Sequence, residues 1–563
     1  MKTSPHLPAI LKSDSALRVV QLCAGAVAIG LIFWKLQFST EAICCGDYDG
    51  YYHIKWSRML WESLRNRSFP PIFTWLPLTT LDPKNYVDHH LLFHFFQMPF
   101  TLSGDPRLGA KVSSVILATA AVFSCYWLLA RYRLRYSFIW LLALLACSAP
   151  FLYRINMAKA PPFAIIYLIV GIYLLFRKKY WPLVPLGFIF ALTYDMFILL
   201  ILAAIIWTAV IGWTERRLEW RPVVWVMMGT VSGLIINPYF PTNLFLFYEH
   251  LKIKMTPSDF STKVGKEWYP YDSWEFMVNS IVACVAMIVG YVSFDPSDRK
   301  RSHHSLFFLI FATALMIMAA RWRRIAEYWP PFAVLFSAFA LQPWLQGARS
   351  SLTGLPTDML DELQPYLDRS ESASLTKEDE TRALWQTVGI AFVAVFLGIV
   401  LFFNLRATFK DIASSDPHDY FRAGAEWMRS NVPAGQRVFN TDWDDFPRLF
   451  YYDPSHSYIS GLDPTYIYDR DPELSKLYDR ITLGEEPDPG PLIRDRFGAG
   501  YVFTDNAHEE FFDNAKTSGW FEIVYEDREC TIFRIRDEKV EQQPEEQETN
   551  EGGNEEPQND NNP

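Results

Sequence analysis

Apolar stretches of bilayer length recur along the first 404 residues, each bounded by charge or proline. So much contiguous apolar surface has no place on a single soluble globule. Eleven such runs are read, near 18–36, 108–130, 137–153, 161–176, 182–194, 196–213, 221–237, 274–293, 305–320, 329–346 and 384–404. The first lies too deep in the chain and lacks a small-residue cleavage site, so it reads as a retained anchor and not as a removed signal peptide. The 563 residues, half apolar and 16% aromatic, are thus expected to form a polytopic α-helical membrane protein of about eleven spans.

Four basic turns set the expected direction: Arg131/Arg133/Arg135, Arg177/Lys178/Lys179, Arg216/Arg217/Arg221 and Arg299/Lys300/Arg301 share one side if the N-terminus is cytoplasmic. Loops 37–107, 154–160, 238–273 and 321–328 then lie outside, with everything after about residue 405, while the polar stretch 347–383 lies inside. The 32 residues 182–213 also fit one long tilted helix, which would invert all that follows; the Arg/Lys cluster after 293 argues against it. Segment 89–102 is apolar but short, with three His and a Pro, and reads as an interfacial or re-entrant piece of the first outer loop.

The composition changes at Asp416. Strand-like runs (RVFNT, SYISGL, GAGYVFTD, WFEIVYED, CTIFRI) alternate with helix-like ones (HDYFRAGAEWMRSN, PELSKLYDRI, HEEFFDNAKTSG), the pattern of a small soluble α/β domain. Three parts are therefore expected: a transmembrane domain over 1–404, an extracytoplasmic α/β domain over 405–537, and an acidic tail over 538–563. The tail has too few apolar residues to offset its ordering entropy and is expected to be disordered. It also carries −8 of the chain's formal charge of −10, so the rest is nearly neutral, which excludes the basic face of a nucleic-acid binder. The seven cysteines form no CxxC pair and suggest neither a disulfide framework nor a structural zinc site; Cys44 and Cys45 are adjacent, either redox-relevant or simply near a membrane surface.

Chemistry concentrates in the expected outer loops. The first holds Asp47-Tyr48-Asp49-Gly50-Tyr51, two carboxylates that hold a divalent ion, receive a proton from a nucleophile, or recur by chance. Its end, Asp88-His89-His90 followed by His94, offers a general base, metal ligands, or plain interfacial polarity. A later loop mixes Lys263, Lys266, Glu267, Trp268, Tyr269 and Asp272, either a lipid-headgroup boundary or a solvated lysine-rich loop. Arg321, Arg323 and Arg324 break the positive-inside pattern, and arginine forks suit phosphate oxygens; the structural alternative is a pair with Glu327 on the same helix. Asp195 reads as a turn residue at the membrane surface rather than an intramembrane carboxylate.

Together these features resemble the GT-C superfamily of membrane glycosyltransferases, and within it the catalytic subunit of oligosaccharyltransferase. The resemblance implies that Asp49, in Asp49-Gly50-Tyr51, is catalytic and metal-binding with Asp47, and that Glu267 is the late-loop glutamate. It implies that an arginine among Arg321, Arg323 and Arg324 meets the lipid-linked phosphate. Glu426-Trp427-Met428-Arg429-Ser430-Asn431-Val432-Pro433 is similar to the family's segment before its Trp-Trp-Asp-Tyr-Gly motif. That motif, which in the family reads the hydroxyl residue of the acceptor, is replaced by Asp442-Trp443-Asp444-Asp445-Phe446, which keeps Trp443 and Asp444 on the acceptor side. In the second outer loop the family has an Arg followed by an Asp pair; here Arg154 is followed by Asn156 and Lys159 with no carboxylate, and Arg154 and Lys159 are expected to bind the donor phosphate, Lys159 as a cation for the leaving group.

The expected activity is transfer of a sugar or glycan from a polyprenyl phosphate or pyrophosphate donor to a protein, glycan or lipid acceptor at the outer face of the membrane. Membrane lipids are the other partner, and Mg or Mn the only expected cofactor. The expected site is a bacterial inner membrane, N-terminus cytoplasmic and C-terminal domain periplasmic. The rival reading is a non-catalytic lipid-linked-glycan binding or assembly component; a transporter is disfavoured because no matching pair of broken helices or line of intramembrane charges is present.

Overall fold

A computed structural model describes residues 14–45, 48–255, 266–297, 302–346 and 377–540. Asp47 and Lys263, residues 347–376 of the expected polar loop and 541–563 of the tail lie outside them.

The protein is an integral membrane protein built mostly of helices. Five described helices are long and apolar enough to cross a bilayer: Arg18–Gln37, Pro106–Arg131, Asp195–Glu215, His303–Arg321 and Leu384–Ala413. The count is seven if Ser137–Ala146 with Ala149–Ile155, and Ser273–Asn279 with Ile281–Ser293, each bent by 83°, are single spans. Others of the eleven expected runs fall on apolar helices too short for that test, Pro161–Phe176, Leu183–Thr193 and Arg221–Ile235. The bend before Ala149 has a local cause: the Ser148 hydroxyl accepts from the Phe151 N–H and Pro150 occupies the first turn, a start signal for a new helix.

Residues 182–213 form two helices and not one. Tyr194 is extended between Leu183–Thr193 and Ile198–Glu215, and Lys178 at the start of the pair meets Glu215 at its end. The chain therefore returns to the level it left. The described basic turns, Arg131/Arg133/Arg135, Arg177/Lys178/Lys179 and Arg216/Arg217/Arg221, gather at this end of the bundle with His303 and Gln342, while Asp49, Lys159, Glu267 and Glu327 meet at the other; Arg299, Lys300 and Arg301 lie outside the described residues.

The segment 89–102 is the short helix Leu91–Gln97 followed by a 3₁₀ turn, Met98–Leu102, with Leu91, Phe93, His94 and Gln97 buried. Cys44 and Cys45 are buried as well.

After the long helix Lys377–Ala413 the chain forms a five-stranded sheet: β1 (Arg437–Asn440), β2 (Ser457–Tyr458), β3 (Tyr501–Asp505), β4 (Phe521–Glu526) and β5 (Cys530–Ile535), ordered β2-β1-β3-β5-β4. β1 is parallel to β2 and β3, with Val438 opposite Tyr501; β5 is antiparallel to β3 and β4. This part does not stand alone. Tyr52, Trp56, Phe73 and Tyr86 of the first loop share one core with Phe421, Met428, Phe446, Phe450 and Tyr458. Trp75 and Phe450 meet at 4.9 Å, Phe73 stacks on Tyr86 at 4.4 Å, and such aromatic pairs add about 0.5–1.5 kcal/mol each beyond their burial. Backbone bonds stitch the same seam: Tyr458 N–H to Trp75 O at 2.7 Å and Thr80 N–H to Tyr466 O at 3.0 Å.

Candidate functional site

Asp49 opens the helix Asp49–Arg65, preceded by Tyr48 in the left-handed region (φ 48°). A carboxylate in a first turn is favoured by the helix dipole. The Tyr48 turn is pinned by its hydroxyl, 2.5 Å from Asp416 Oδ2, and by the Arg448 guanidinium 3.6 Å above its ring. Gly50 allows the next loop to approach: a Cβ there would lie 2.6 Å from Ile43 Cγ2 and 3.1 Å from Ala158 Cβ. One residue beyond Ala158, Lys159 places its ammonium 2.8 Å from Asp49 Oδ2.

The cluster continues from the same loop. Arg154 pairs with Glu267 at 2.9 Å and with Glu327 at 2.6 Å, and Arg324 reaches the other Glu267 oxygen at 3.0 Å and the Tyr194 hydroxyl at 2.6 Å. Burial works against the Glu267 charge, yet Arg324, Arg154 and Lys159 hold its carboxyl well below the usual range. Four loops thus bring three cations and three carboxylates to one end of the bundle. Glu327 pairs across to Arg154, which replaces the expected pairing along its own helix.

Of the three candidate arginines, Arg324 alone enters this cluster. The extended backbone at Trp322 (φ −131°, ψ 121°) ends the helix His303–Arg321 and turns the three side chains apart. Arg321 is exposed at that end. Arg323 donates from Nε to Pro270 O at 3.2 Å and lies 4.9 Å over the Tyr271 ring.

A second layer lies one helical turn along. His53 is four residues after Asp49 and on the same face. Its Nδ1 is 2.8 Å from His94 Nε2, and His94 Nδ1 is 2.8 Å from Asp88 Oδ2. Asp88 also accepts from Trp56 Nε1 at 3.0 Å and from the His90 backbone N–H at 3.0 Å. Although burial opposes its charge, His94, Trp56 and His89 lower the Asp88 pKa, so it accepts throughout. Burial, then His94, Lys159 and His89, holds His53 well below an ordinary histidine. Asp88 accepts from His94 Nδ1, and the direction of the His53–His94 bond follows the tautomer of the two rings. His90, likewise held down by burial and its histidine neighbours, stacks on Tyr194 at 5.4 Å, and His89 lies 4.0 Å from it. His89 and Asp195 line one small cavity of about 30 Å³.

Sequence reasoning passed over His53 and Tyr194. The i+4 spacing from Asp49 was the available signal for His53; nothing local marks Tyr194. Trp443 and Asp444 lie elsewhere, in the loop after β1.

Asp47, the second ligand expected for a divalent ion beside Asp49, lies outside the described residues. An ammonium already sits against the Asp49 carboxylate, and among the described residues no three Asp, Glu, His or Cys side chains converge as ligands.

No protein-family model matches the sequence, and no curated protein does. Solved structures share its fold. One is the archaeal oligosaccharyltransferase AglB from Archaeoglobus fulgidus in complex with an inhibitory peptide and a dolichol-phosphate, at a TM-score of 0.57 and 12% identity over 89% of this chain and 71% of that one. The same organism's enzyme tethered to an acceptor peptide containing the NVT sequon gives 0.55 and 12% over 87% and 70%. ArnT from Cupriavidus metallidurans bound to undecaprenyl phosphate gives 0.54 and 15% over 94% and 100%. These are GT-C membrane glycosyltransferases, so the fold that the resemblance implied is the fold observed.

Proposed function

We propose, taking the shared GT-C fold as the premise, that the protein transfers a sugar or glycan from a polyprenyl phosphate or pyrophosphate donor to an acceptor at the outer face of a membrane. The Asp49–Lys159 pair beside Arg324 is the observation that carries this reading. In the free protein the cations are matched by carboxylates. A donor phosphate competes for Lys159 and Arg324; taking Lys159 draws that ammonium away from Asp49, while Glu267 keeps Arg154 when Arg324 is taken.

Asp49, released from Lys159, then takes the acceptor's proton as the acceptor oxygen or nitrogen forms a bond to the anomeric carbon. The bond from that carbon to the phosphate oxygen breaks, and its electrons leave with the phosphate, where Lys159 and Arg324 meet the growing charge. Glu267 holds Arg154 and Arg324 in place, and the proton moves on through His89, His90 or the His53–His94–Asp88 chain. Asp47 adds a second carboxylate to the first loop, and Trp443 and Asp444 belong to the acceptor side. No step is routed through a metal. The reading includes a bacterial inner membrane, a cytoplasmic N-terminus and a periplasmic C-terminal part.

Native mass spectrometry of the detergent-purified protein tests it. Wild type and Asp49→Asn are expected to carry a polyprenyl-linked sugar that Arg324→Ala loses, and Asp49→Asn to turn over none of it. Turnover by Asp49→Asn overturns the base assignment. Donor binding without turnover by wild type, with every acceptor class supplied, favours an assembly component.

A further inference from the structure

β1 lies between β2 and β3 and is parallel to both, and the chain visits β2 on one side before β3 on the other. The connections after β1 and β3 therefore leave the sheet in opposite directions at the carboxyl ends of these strands. Open α/β sheets place their ligand crevices at such a reversal. A cavity of about 140 Å³ is found there, large enough for a side chain or several waters. Its wall includes Asp442 and Trp443 after β1, His508 after β3, Tyr478 and Asp479 on the helix Pro472–Thr482, and Ser460 after β2.

Two observations say what the cavity takes. Ser460 is fully buried, and its hydroxyl has no hydrogen-bond partner among the described residues, although it lines the cavity. A buried hydroxyl without a partner is rare in a native fold and marks a place where another group belongs. The second is charge. Asp442, Asp444, Asp445 and Asp505 crowd the same strand ends, so that burial and the other three push the Asp445 carboxyl well above its ordinary range. The nearby basic groups are already committed: His508 Nδ1 to Asp505 at 2.8 Å, and Arg448 to Asp416 at 3.2 Å on the side of Tyr48. The Asp442 carboxylate, half-buried in the cavity wall, accepts the backbone N–H of Asp444 at 3.3 Å.

We infer that this crevice binds a small cationic group, a primary ammonium or a guanidinium, against the Trp443 and Tyr478 rings, with Asp442 as its counter-charge and Ser460 Oγ as an acceptor. Rings beside a carboxylate are the surroundings in which a desolvated cation is held. The group has two sources, a Lys or Arg side chain of a peptide or an amino sugar. Trp443 is also the residue put on the acceptor side, but binding of the cation is read directly and needs no transfer, so its failure and that of the transfer reading are separate results.

Saturation-transfer NMR on the full-length protein in detergent tests it, with Nα-acetyl-lysine amide, Nα-acetyl-arginine amide and glucosamine as probes, each against a neutral counterpart (Nε-acetylated lysine, citrulline, N-acetylglucosamine). The cationic probes are expected to bind saturably and at least tenfold more tightly than the neutral ones. Asp442→Asn is expected to weaken them tenfold or more and Ser460→Ala severalfold, the latter with the wild-type unfolding temperature. A preference for lysine or arginine over glucosamine identifies a peptide source, and the reverse an amino sugar. Equal binding of neutral and cationic probes, no saturable binding, or an affinity unchanged in Asp442→Asn overturns the inference. Should Asp442→Asn fail to fold, Trp443→Leu provides the same comparison.

Discussion

Lys159 Nζ lies 2.8 Å from Asp49 Oδ2 and joins the second loop of the bundle to the first turn of the helix Asp49–Arg65. The pair is about four-fifths buried on both sides, so its attraction is screened less than that of a surface pair. The ammonium there touches the expected base directly. Lys159→Met is expected to lower transfer by about 10²–10³-fold, the range found when one transition-state donor is removed. A radiolabelled-sugar transfer assay checks this, and a loss smaller than threefold removes Lys159 from the reaction.

The same substitution has a second consequence. Lys159 is one of the charges that disfavour protonation of His53, so its removal raises the His53 pKa. If neutral His53 is needed, activity falls as pH drops through that pKa, and the acid limb of the pH–rate profile moves to higher pH in Lys159→Met. His53→Gln is expected to abolish the limb. A profile that keeps its shape in both variants rules out the His53–His94–Asp88 chain as a proton path.

Glu267 ties two arginines together, and its carboxyl is held below the ordinary range. A group depressed in the folded state stabilises above its unfolded pKa, near 4.5, and that stability is lost as pH falls through the folded value. The unfolding temperature of wild type is therefore expected to fall below about pH 4.5 partly through this group, and that of Glu267→Gln to be less sensitive over the same window.

Glu327 is buried, with its Arg154 partner at 2.6 Å. Removing one member of a buried pair leaves the other uncompensated, at a cost of about 3–5 kcal/mol, here reduced because Arg154 keeps Glu267. Glu327→Gln is expected to lower the unfolding temperature by several degrees, and Glu327→Ala by more.

Gly50→Ala inserts a methyl between Ile43 and Ala158. The loop that carries Lys159 must then shift outward. Donor-dependent activity is expected to fall by about tenfold or more, since misplacement by about 1 Å has cost 10²-fold elsewhere. Crosslinking between cysteines placed at Asp49 and Lys159, which reports their separation, is expected to slow in the same background.

What was legible in the sequence was hydrophobic length and the charges that interrupt it. Asp49, Arg154, Lys159, Glu267 and Arg324 each stand out as ionisable residues between apolar runs, and a bilayer confines such residues to its surfaces. Their partnerships were not legible. Arg321, Arg323 and Arg324 are equivalent by composition, and only the change from α-helix to extended backbone at Trp322 sorts them. Glu327 looked like a partner for arginines three and four residues before it, yet a 3₁₀ turn over Arg323–Glu327 replaces the helix that would have paired them. The strand positions were readable from alternation, but their order was not. The placement of β3 beside β1, which forms the Asp442 crevice, depends on residues some sixty positions apart.

The shared aromatic core has a bearing on how the molecule comes into being. Tyr48 waits for Asp416, which is 368 residues later in the chain. At about 5–20 residues per second, the first loop emerges roughly 20–70 s before its packing partners exist. During that interval Trp56 and Phe73 have one another and Tyr86 for cover, while the faces that later meet Phe446 and Phe450 stand open to solvent or lipid. The nascent protein is thus at its most vulnerable to proteolysis and misassembly in the same segment that later holds Asp49, and a chain truncated before residue 416 would keep its apolar helices but leave the business end of the molecule unfinished.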